Sequence, residues 1–314
     1  MNITVVLCTY NRCQSLAKAL ESVAGSALPD SIRWEVLVVD NNSRDKTREV
    51  VEDFSRRHPG RFRYLFEPHP GKSYALNSGI LAAAGDVLAF IDDDVIVDPH
   101  WLQKLSMPLN DGEWAGSGGR ILPQQAVSPP RWLPIGEAYA TAPLVMFDLG
   151  PDAGQLTVPP FGTNMAFQKR LFDKYGGFRT DLGPQPGSEI RSEDTEFGSR
   201  LLAAGERLRY EPSAIVYHVV PEHRLQKRYF LTWWFDKARG DIRAFGTPPD
   251  MRWHVAGVPM VEFRRLAAWM TRWLLAFQPP RRFASKLNVW IVAGRIVESH
   301  RIWRRAPETE RRNL

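Results

Sequence analysis

The sequence predicts an α/β fold with a mostly parallel central sheet flanked by helices, and three observations predict it. Short apolar runs rich in β-branched residues recur through the first hundred residues. Segments long enough for helices of ten or more residues separate them, which is the spacing of βαβ units. A polar cluster follows three of the runs, at 9–12, 40–43 and 92–94. In open α/β sheets ligands bind beyond the carboxyl ends of the strands, so these clusters outline a nucleotide crevice.

Residues 3–8 read as the first strand, followed by Thr9-Tyr10-Asn11-Arg12 and a helical pattern over 15–23. Residues 35–39 form the second strand, ending in Asp40-Asn41-Asn42-Ser43, with a helix over 45–57. A third strand is expected at 62–66, a loop and helix over 71–84, and a fourth strand at 86–91. Residues 108–160 are rich in Pro and Gly and read as irregular structure with short strands. A loop entering a strand at 161–167, a short helix at 168–175 and a Gly/Pro-rich loop at 176–187 come next. Ser192 reads as the cap of a helix running to Ala204, with Glu193, Asp194 and Glu196 in its first turn and Gly205 ending it. Strand material follows at 207–217.

Val87-Leu88-Ala89-Phe90-Ile91 runs directly into Asp92-Asp93-Asp94. An extended backbone would turn Asp92 and Asp94 to one side and Asp93 to the other. Three adjacent carboxylates repel one another and need a cation or strong donors nearby. Two readings follow: a hard divalent metal site that clamps a phosphate-bearing substrate, or an acidic turn between two strands. Gly71-Lys72-Ser73 is not a P-loop, because that pattern needs a glycine where Phe66 stands. The first strand is not followed by a dinucleotide glycine fingerprint either.

The 314 residues are 44% hydrophobic and 24% charged, ordinary for a globular chain with one large core or one core and an appendage. Met1-Asn2 leads straight into a strand pattern without a basic leader region, and the two cysteines, Cys8 and Cys13, lack zinc-ligand spacing. The expectation is a cytoplasmic protein with buried reduced thiols. Charge is uneven. Residues 251–314 carry 13 Lys+Arg against 4 Asp+Glu, a net of +9, whereas the whole chain is +6, so the first 250 residues are net −3. A basic tail on an acidic body points to a polyanionic or membrane-surface partner.

Seven of the eleven tryptophans lie from Trp233 onward, interleaved with arginine. Residues 260–277 place Met260, Phe263, Leu266, Met270, Trp273, Leu274 and Phe277 at helical spacing, with Arg265 and Arg272 on the other side. A second such segment runs over 285–303, and no run reaches 18 apolar residues. The pattern suits helices lying in a membrane interface; a helical pair packed on the body, or a nucleic-acid surface, are the competing readings. The membrane reading places the protein on the cytoplasmic face with the anionic inner leaflet as partner, and no nucleic acid is expected.

Taken in order, the motifs resemble family 2 of the inverting glycosyltransferases, over roughly residues 1–225. Thr9-Tyr10-Asn11-Arg12 resembles the family's first-strand motif, Val39-Asp40-Asn41-Asn42-Ser43 its second-strand acid, and Gly71–Ile80 its nucleotide-contacting loop and helix. Asp92-Asp93-Asp94 matches the D-x-D element, Gly162-Thr163-Asn164-Met165-Ala166-Phe167 the acceptor-side strand, and Glu193-Asp194 the E-D pair. The resemblance implies the GT-A fold, a Rossmann-like nucleotide-binding half over 1–107, an acceptor-binding half over 108–225, and a helical extension over 226–314. It implies a nucleoside-diphosphate sugar donor, UDP by default, and a glycan or lipid-linked acceptor, with Asp194 as general base and Glu193 orienting the acceptor. Donor contacts would come from Thr9, Tyr10, Asn11, Arg12, Asp40, Asn42, Lys72, Asn77, Asp92 and Asp93. Asp94, Asp92 and His218, with His223 as competitor, would hold Mg²⁺ or Mn²⁺. Gly162 and Asn164 would face the acceptor, and Arg224 and Arg228 would reach the diphosphate. Gln226-Lys227-Arg228-Tyr229-Phe230 only loosely matches the Q-x-x-R-W motif of processive members, which favours single-sugar transfer. A sugar nucleotidyltransferase, which needs a Gly-rich Arg-containing first loop, and a catalytically silent membrane scaffold are the alternatives.

Overall fold

A computed structural model of the chain describes residues 1–133, 138–247 and 253–307. It forms two compact units. The first comprises Met1–Ala126, Val145–Pro186 and Glu193–Val220; the second comprises Val127–Leu144, Gly187–Ser192 and Pro221–Leu314.

The first unit opens as βαβ repeats: β1 (Asn2–Thr9), α1 (Cys13–Ala24), β2 (Arg33–Asp40), α2 (Thr47–Arg57), β3 (Phe62–Phe66), α3 (Lys72–Ala82) and β4 (Val87–Asp92). It continues with β5 (Val95–Val97), α4 (Trp101–Ser106), β6 (Gly116–Pro123), then, beyond a short α5 (Ala138–Thr141) of the second unit, β7 (Gly154–Gln155), β8 (Asn164–Gln168), α6 (Arg170–Tyr175), α7 (Glu193–Ala203) and β9 (Leu208–His218). Among the described residues these strands form one nine-stranded sheet, in the order β3-β2-β1-β4-β8-β6-β9-β5, with β7 pairing β9. The block β3-β2-β1-β4 is parallel, while β8 runs antiparallel to both β4 and β6. The α/β fold expected from the strand and helix spacing is the fold observed.

The parallel block forms because its strands are apolar on both faces. Residues Val36–Val39 of β2 and Val87–Ile91 of β4 are buried without interruption, as a strand covered by helices on either side requires. Beneath β4 and β8 lies an aromatic cluster in which Phe172 and Phe197 stack with centroids 4.7 Å apart. Phe90 and Phe178 complete it, edge to face at 5.7 Å. Phe197 is fully buried, so this cluster fixes α7 against the sheet. Cys8 and Cys13 are free thiols, each half-buried.

In the second unit α8 (Lys227–Phe245), a β10–β11 hairpin (His254–Val255, Val258–Pro259), α9 (Met260–Leu275) and α10 (Pro279–Arg305) follow one another. The backbones of α8 and α10 cross closely at Gly294, where a Cβ would collide with the Phe235 carbonyl. The buried Glu298 of α10 accepts from Arg239 Nε at 3.0 Å and is clamped by Arg243 as well. The second amphipathic segment is therefore a packed helix, with Phe283, Leu287, Val289 and Val292 buried. Ser192, expected to cap α7, has φ +91° and its hydroxyl donates instead to Asp241 Oδ1 at 2.9 Å. Among the described residues no helix is long and apolar enough to cross a membrane.

Candidate active site

The parallel block places its polar strand ends side by side. Register pairs Thr9 with Asp40 and Cys8 with Asp92, so β1, β2 and β4 deliver their polar residues to the same edge of the sheet. Strand β4 ends at Asp92, and Asp93 and Asp94 form the turn into β5. The alternation expected for an extended triplet therefore stops at Asp92. Asp93 and Asp94 instead share one cation: Arg12 Nη1 lies 3.1 Å from Asp93 Oδ1 and 3.1 Å from Asp94 Oδ2.

Each carboxylate has its own partners. Asp92 Oδ1 accepts from Lys72 Nζ at 2.8 Å and Asp92 Oδ2 from Thr163 Oγ1 at 2.6 Å. Asp93 Oδ2 accepts from Thr9 Oγ1 at 2.7 Å. Asp94 Oδ1 lies 3.5 Å from His218 Nε2, which β9 presents through its pairing with β5. These environments separate the three acids. Burial raises Asp92, but the Lys72 ammonium outweighs it and holds the group well below the usual carboxylate range. Burial, with Asp94 and Asp92 as like-charged neighbours, pushes Asp93 up to about 6 against the pull of Arg12. Burial raises Asp94 most, but the hydrogen bond and charge of His218 together with the Arg12 guanidinium prevail and the net direction is down.

Lys72, the first residue of α3, joins the two acidic motifs. Its Nζ stands 3.6 Å from Glu193 Oε1 as well as 2.8 Å from Asp92. Burial alone would lower the ammonium, but Asp92 and Glu193 prevail and keep it charged. Glu193 is buried beside it, while Asp194 is half-exposed. Asp194 Oδ2 accepts from the Gly162 N–H at 2.8 Å and Oδ1 from the Thr195 N–H at 2.6 Å. That pair of backbone donors aims the carboxylate at the start of α7.

The remaining expected residues divide into contact surfaces and supports. Tyr10 and Asn42 are exposed, and Asn11 and Asn42 take left-handed φ of 52° and 67°, which asparagine tolerates. Asn11 Oδ1 accepts from the Arg44 N–H at 2.7 Å, tying the loop after β1 to the loop after β2. Asp40 is buried and accepts from the Ser43 N–H at 2.9 Å and Tyr64 Oη at 2.8 Å. Burial and that contact push Tyr64 up to about 12. Asn77 spends its whole amide on Phe178, accepting from its N–H and donating to its carbonyl, each at 2.8 Å. Asn164 is fully buried, accepting from Trp101 Nε1 at 2.8 Å and donating to the carbonyls of Arg120 and Ala214. Gly162 is the donor to Asp194 already described. Arg224 and Arg228 belong to the second unit, near the start of α8, where Arg224 lies over Tyr229. His223 is there too, edge-on to Tyr229, so His218 is the histidine beside Asp94.

Two residues that pattern reasoning passed over complete the site. Thr163 supplies the hydroxyl that holds Asp92. Buried Asn41 accepts from the Gly71 N–H at 2.7 Å and donates to the His69 carbonyl at 2.7 Å, which sets the approach to α3. Both stand inside motifs already singled out, next to Gly162 and Asp40, but neither position marks its partner in sequence.

Among the described residues no group of three or more His, Cys, Asp and Glu side chains stands as a complete metal-binding set. Asp92 is bonded at its two oxygens by Lys72 and Thr163. Asp94 and His218 are adjacent. A carboxylate with an imidazole fits Mn²⁺ or Mg²⁺ that takes its other ligands from water and a substrate diphosphate.

Comparison with known proteins gives the family. Residues 4–176 match the profile of glycosyl transferase family 2. The chain is 30% identical over 236 residues to the succinoglycan biosynthesis protein ExoM of Rhizobium meliloti, covering 73% of this chain and 72% of that one. It is 27% identical over 231 residues to the glucosyl-dolichyl phosphate glucuronosyltransferase of Haloferax volcanii, covering 72% of each. The mannosyltransferase from Pyrobaculum calidifontis, solved in complex with GDP-Man and Mn²⁺, superposes with a TM-score of 0.62 at 20% identity, over 97% of this chain and 88% of its own. S. aureus TarS 1–349 in complex with UDP-GlcNAc superposes at 0.53 and 18% identity, over 78% and 68%. The fold is that of the GT-A glycosyltransferases, and the chain belongs to glycosyl transferase family 2.

Proposed function

We propose that the protein is an inverting, metal-dependent glycosyltransferase that moves one sugar from a nucleoside-diphosphate donor, UDP by default, to a hydroxyl of a glycan or lipid-linked acceptor. One observation carries the reading. Lys72 bridges Asp92 at the donor end of the sheet and Glu193 beside Asp194, so two acidic motifs a hundred residues apart in sequence share one site. Support also comes from relatives whose names include a nucleotide-sugar complex, a dolichyl phosphate and a bacterial polysaccharide.

Asp40, at the end of β2, accepts hydrogen bonds from the donor base, and the loop of Thr9, Tyr10, Asn11 and Arg12 frames the nucleotide. Asn42 lies on the rim of that pocket. Asp94 and His218 would hold Mg²⁺ or Mn²⁺, which would supply Lewis-acid neutralisation of charge on the leaving diphosphate. Lys72 and Thr163 keep Asp92 ionised and oriented toward the donor, and Asp93, bonded to Thr9 and Arg12, braces the same edge. Asp194, aimed by the Gly162 and Thr195 N–H groups, takes the proton of the acceptor hydroxyl as that oxygen attacks the anomeric carbon. The new bond forms opposite the breaking one, so the anomeric configuration inverts. Glu193 orients the acceptor side. Asn77 and Asn164 act as supports for these loops. The enzyme works at the cytoplasmic face of the cell membrane, where lipid-linked acceptors are found.

The deciding experiment compares the wild type with Asp194→Asn. Calorimetric titration of the variant with Mn²⁺ and a donor nucleotide is expected to give wild-type affinity while sugar transfer falls at least about a thousandfold, the scale of a lost general base together with misplaced proton transfer. Transfer within tenfold of wild type rules out Asp194 as the base, and a product with retained anomeric configuration rules out single displacement.

A further inference from the structure

The second unit presents an apolar ridge on α9 that faces away from its own packing. Phe263, Met270 and Leu274 stand at i, i+7 and i+11, within about 40° of one another around the helix. All three are exposed, Leu274 at 68%. Leu275 and Phe277 extend the surface at the carboxyl end, exposed at 67% and 89%. At the amino end Trp253, whose carbonyl accepts from the Met260 N–H at 2.8 Å, is exposed at 80%.

The inner side of α9 has the opposite character. Glu262 is buried there, 2.6 Å from Arg265 Nη1 and 3.9 Å from Arg295 Nη1 of α10. Trp273 lies under Lys286 of α10, whose Nζ is 5.3 Å from the ring centroid. Polar and aromatic groups therefore seat α9 on α10, while Phe263, Met270, Leu274 and Leu275 are exposed, the reverse of a helix packed for its core. Glu262 is the only acid of α9, and its burial leaves the exposed part of the helix without negative charge. Arg264 flanks the ridge, about 100° around the helix from Phe263, and Arg281 and Arg282 begin α10 just beyond Phe277.

We propose that this face of α9 docks on an anionic lipid surface, with Phe263, Met270, Leu274 and Phe277 in the interface and Arg264, Arg281 and Arg282 against the headgroups. Exposed apolar area with a cationic rim is the composition of an interfacial helix. A second copy is disfavoured as occupant because two such faces would bring arginines against arginines. The α10 helix takes no part through its apolar face, which is buried. The inference deepens the placement at a membrane proposed above and is independent of the transfer chemistry.

The test is flotation of the full chain with vesicles of phosphatidylcholine alone and of phosphatidylcholine with about one-third phosphatidylglycerol, without nucleotide sugar. Wild type is expected to float with the anionic vesicles and only weakly with the neutral ones. Leu274→Glu/Phe277→Glu is expected to weaken binding at least about tenfold, and Arg264→Gln/Arg281→Gln/Arg282→Gln to reduce the preference for anionic lipid. Leu81→Glu, at an exposed leucine of α3 in the first unit, should bind as wild type does. Unchanged thermal unfolding of each variant confirms that it is folded. The proposal is overturned if wild type fails to float, or if Leu274→Glu/Phe277→Glu floats like wild type. A shift from dimer to monomer in that variant with unchanged flotation would assign the face to a second copy instead. Because no donor is present, loss of vesicle binding and loss of transfer are read separately.

Discussion

Lys72 Nζ lies 2.8 Å from Asp92 Oδ1, and both side chains keep about a quarter of their surface exposed. This contact is where the nucleotide-binding half of the sheet meets the acidic start of α7. Removing either charge leaves the other without its main partner in a largely desolvated place.

Lys72→Met should therefore cost about 2 kcal/mol, less than the 3–5 kcal/mol of a fully buried pair because of the residual exposure. Denaturant titration should show a lower midpoint with an unchanged slope. Adding Asp92→Asn should restore part of the loss, since the remaining carboxylate is then neutralised. Equal stability of Lys72→Met and wild type would show that the contact contributes nothing net.

His218→Ala tests the metal assignment. With Asp94 as the only remaining protein ligand, the Mn²⁺ concentration for half-maximal donor binding should rise at least about tenfold. Chelation should abolish donor binding in wild type, and added Mn²⁺ should restore it. His223→Ala should leave both measurements unchanged, because the His223 ring packs edge-on against Tyr229 and His218 is the histidine beside Asp94.

Asp45 gives a pH-dependent contribution away from the chemistry. One carboxylate oxygen accepts from the Cys13 N–H that begins α1 at 2.9 Å, and the other from the Thr47 N–H that begins α2 at 3.0 Å. Burial raises its pKa, but the bonds from Thr47 and Cys13 together prevail and the net direction is down. A carboxylate lowered by folding stabilises fully above its unfolded value near 4 and loses that contribution as pH falls through the folded value. Asp45→Ala should cost about 1 kcal/mol at pH 7, as for a lost helix cap. Thermal unfolding of the two proteins should converge as the pH falls below 4. A constant difference down to pH 2 would mean that the carboxylate is not responsible.

The fold was legible because its signals are local. Apolar runs such as 87–91 and the helix-length spacers depend on residues near one another in sequence, and so does the polar cluster after each strand. The site was legible as a set of motifs but not as an arrangement. Thr163 and Asn41 gave no pattern of their own, because a hydrogen bond to Asp92 or to Gly71 depends on where another segment lies. The family resemblance gave Asn77 and Asn164 as ligand-facing, and the structure bonds their amides to Phe178 and to the Arg120 and Ala214 carbonyls. The third aspartate was misjudged for a related reason. Alternation applies only while a strand continues, and β4 ends at Asp92.

By itself the sequence determined the parallel strand block, the order of the acidic motifs and two amphipathic segments near the carboxyl end, because periodicity and turn chemistry act over a few residues. Tertiary structure alone decided which acid faces which cation. Lys72 joins Asp92 to Glu193, Arg12 spans Asp93 and Asp94, and His218 rather than His223 stands beside Asp94. It also decided that α10 buries its apolar face while α9 displays its own. Charges interact over a few ångströms of space, and only sheet register and helix packing bring residues so distant in sequence within that range.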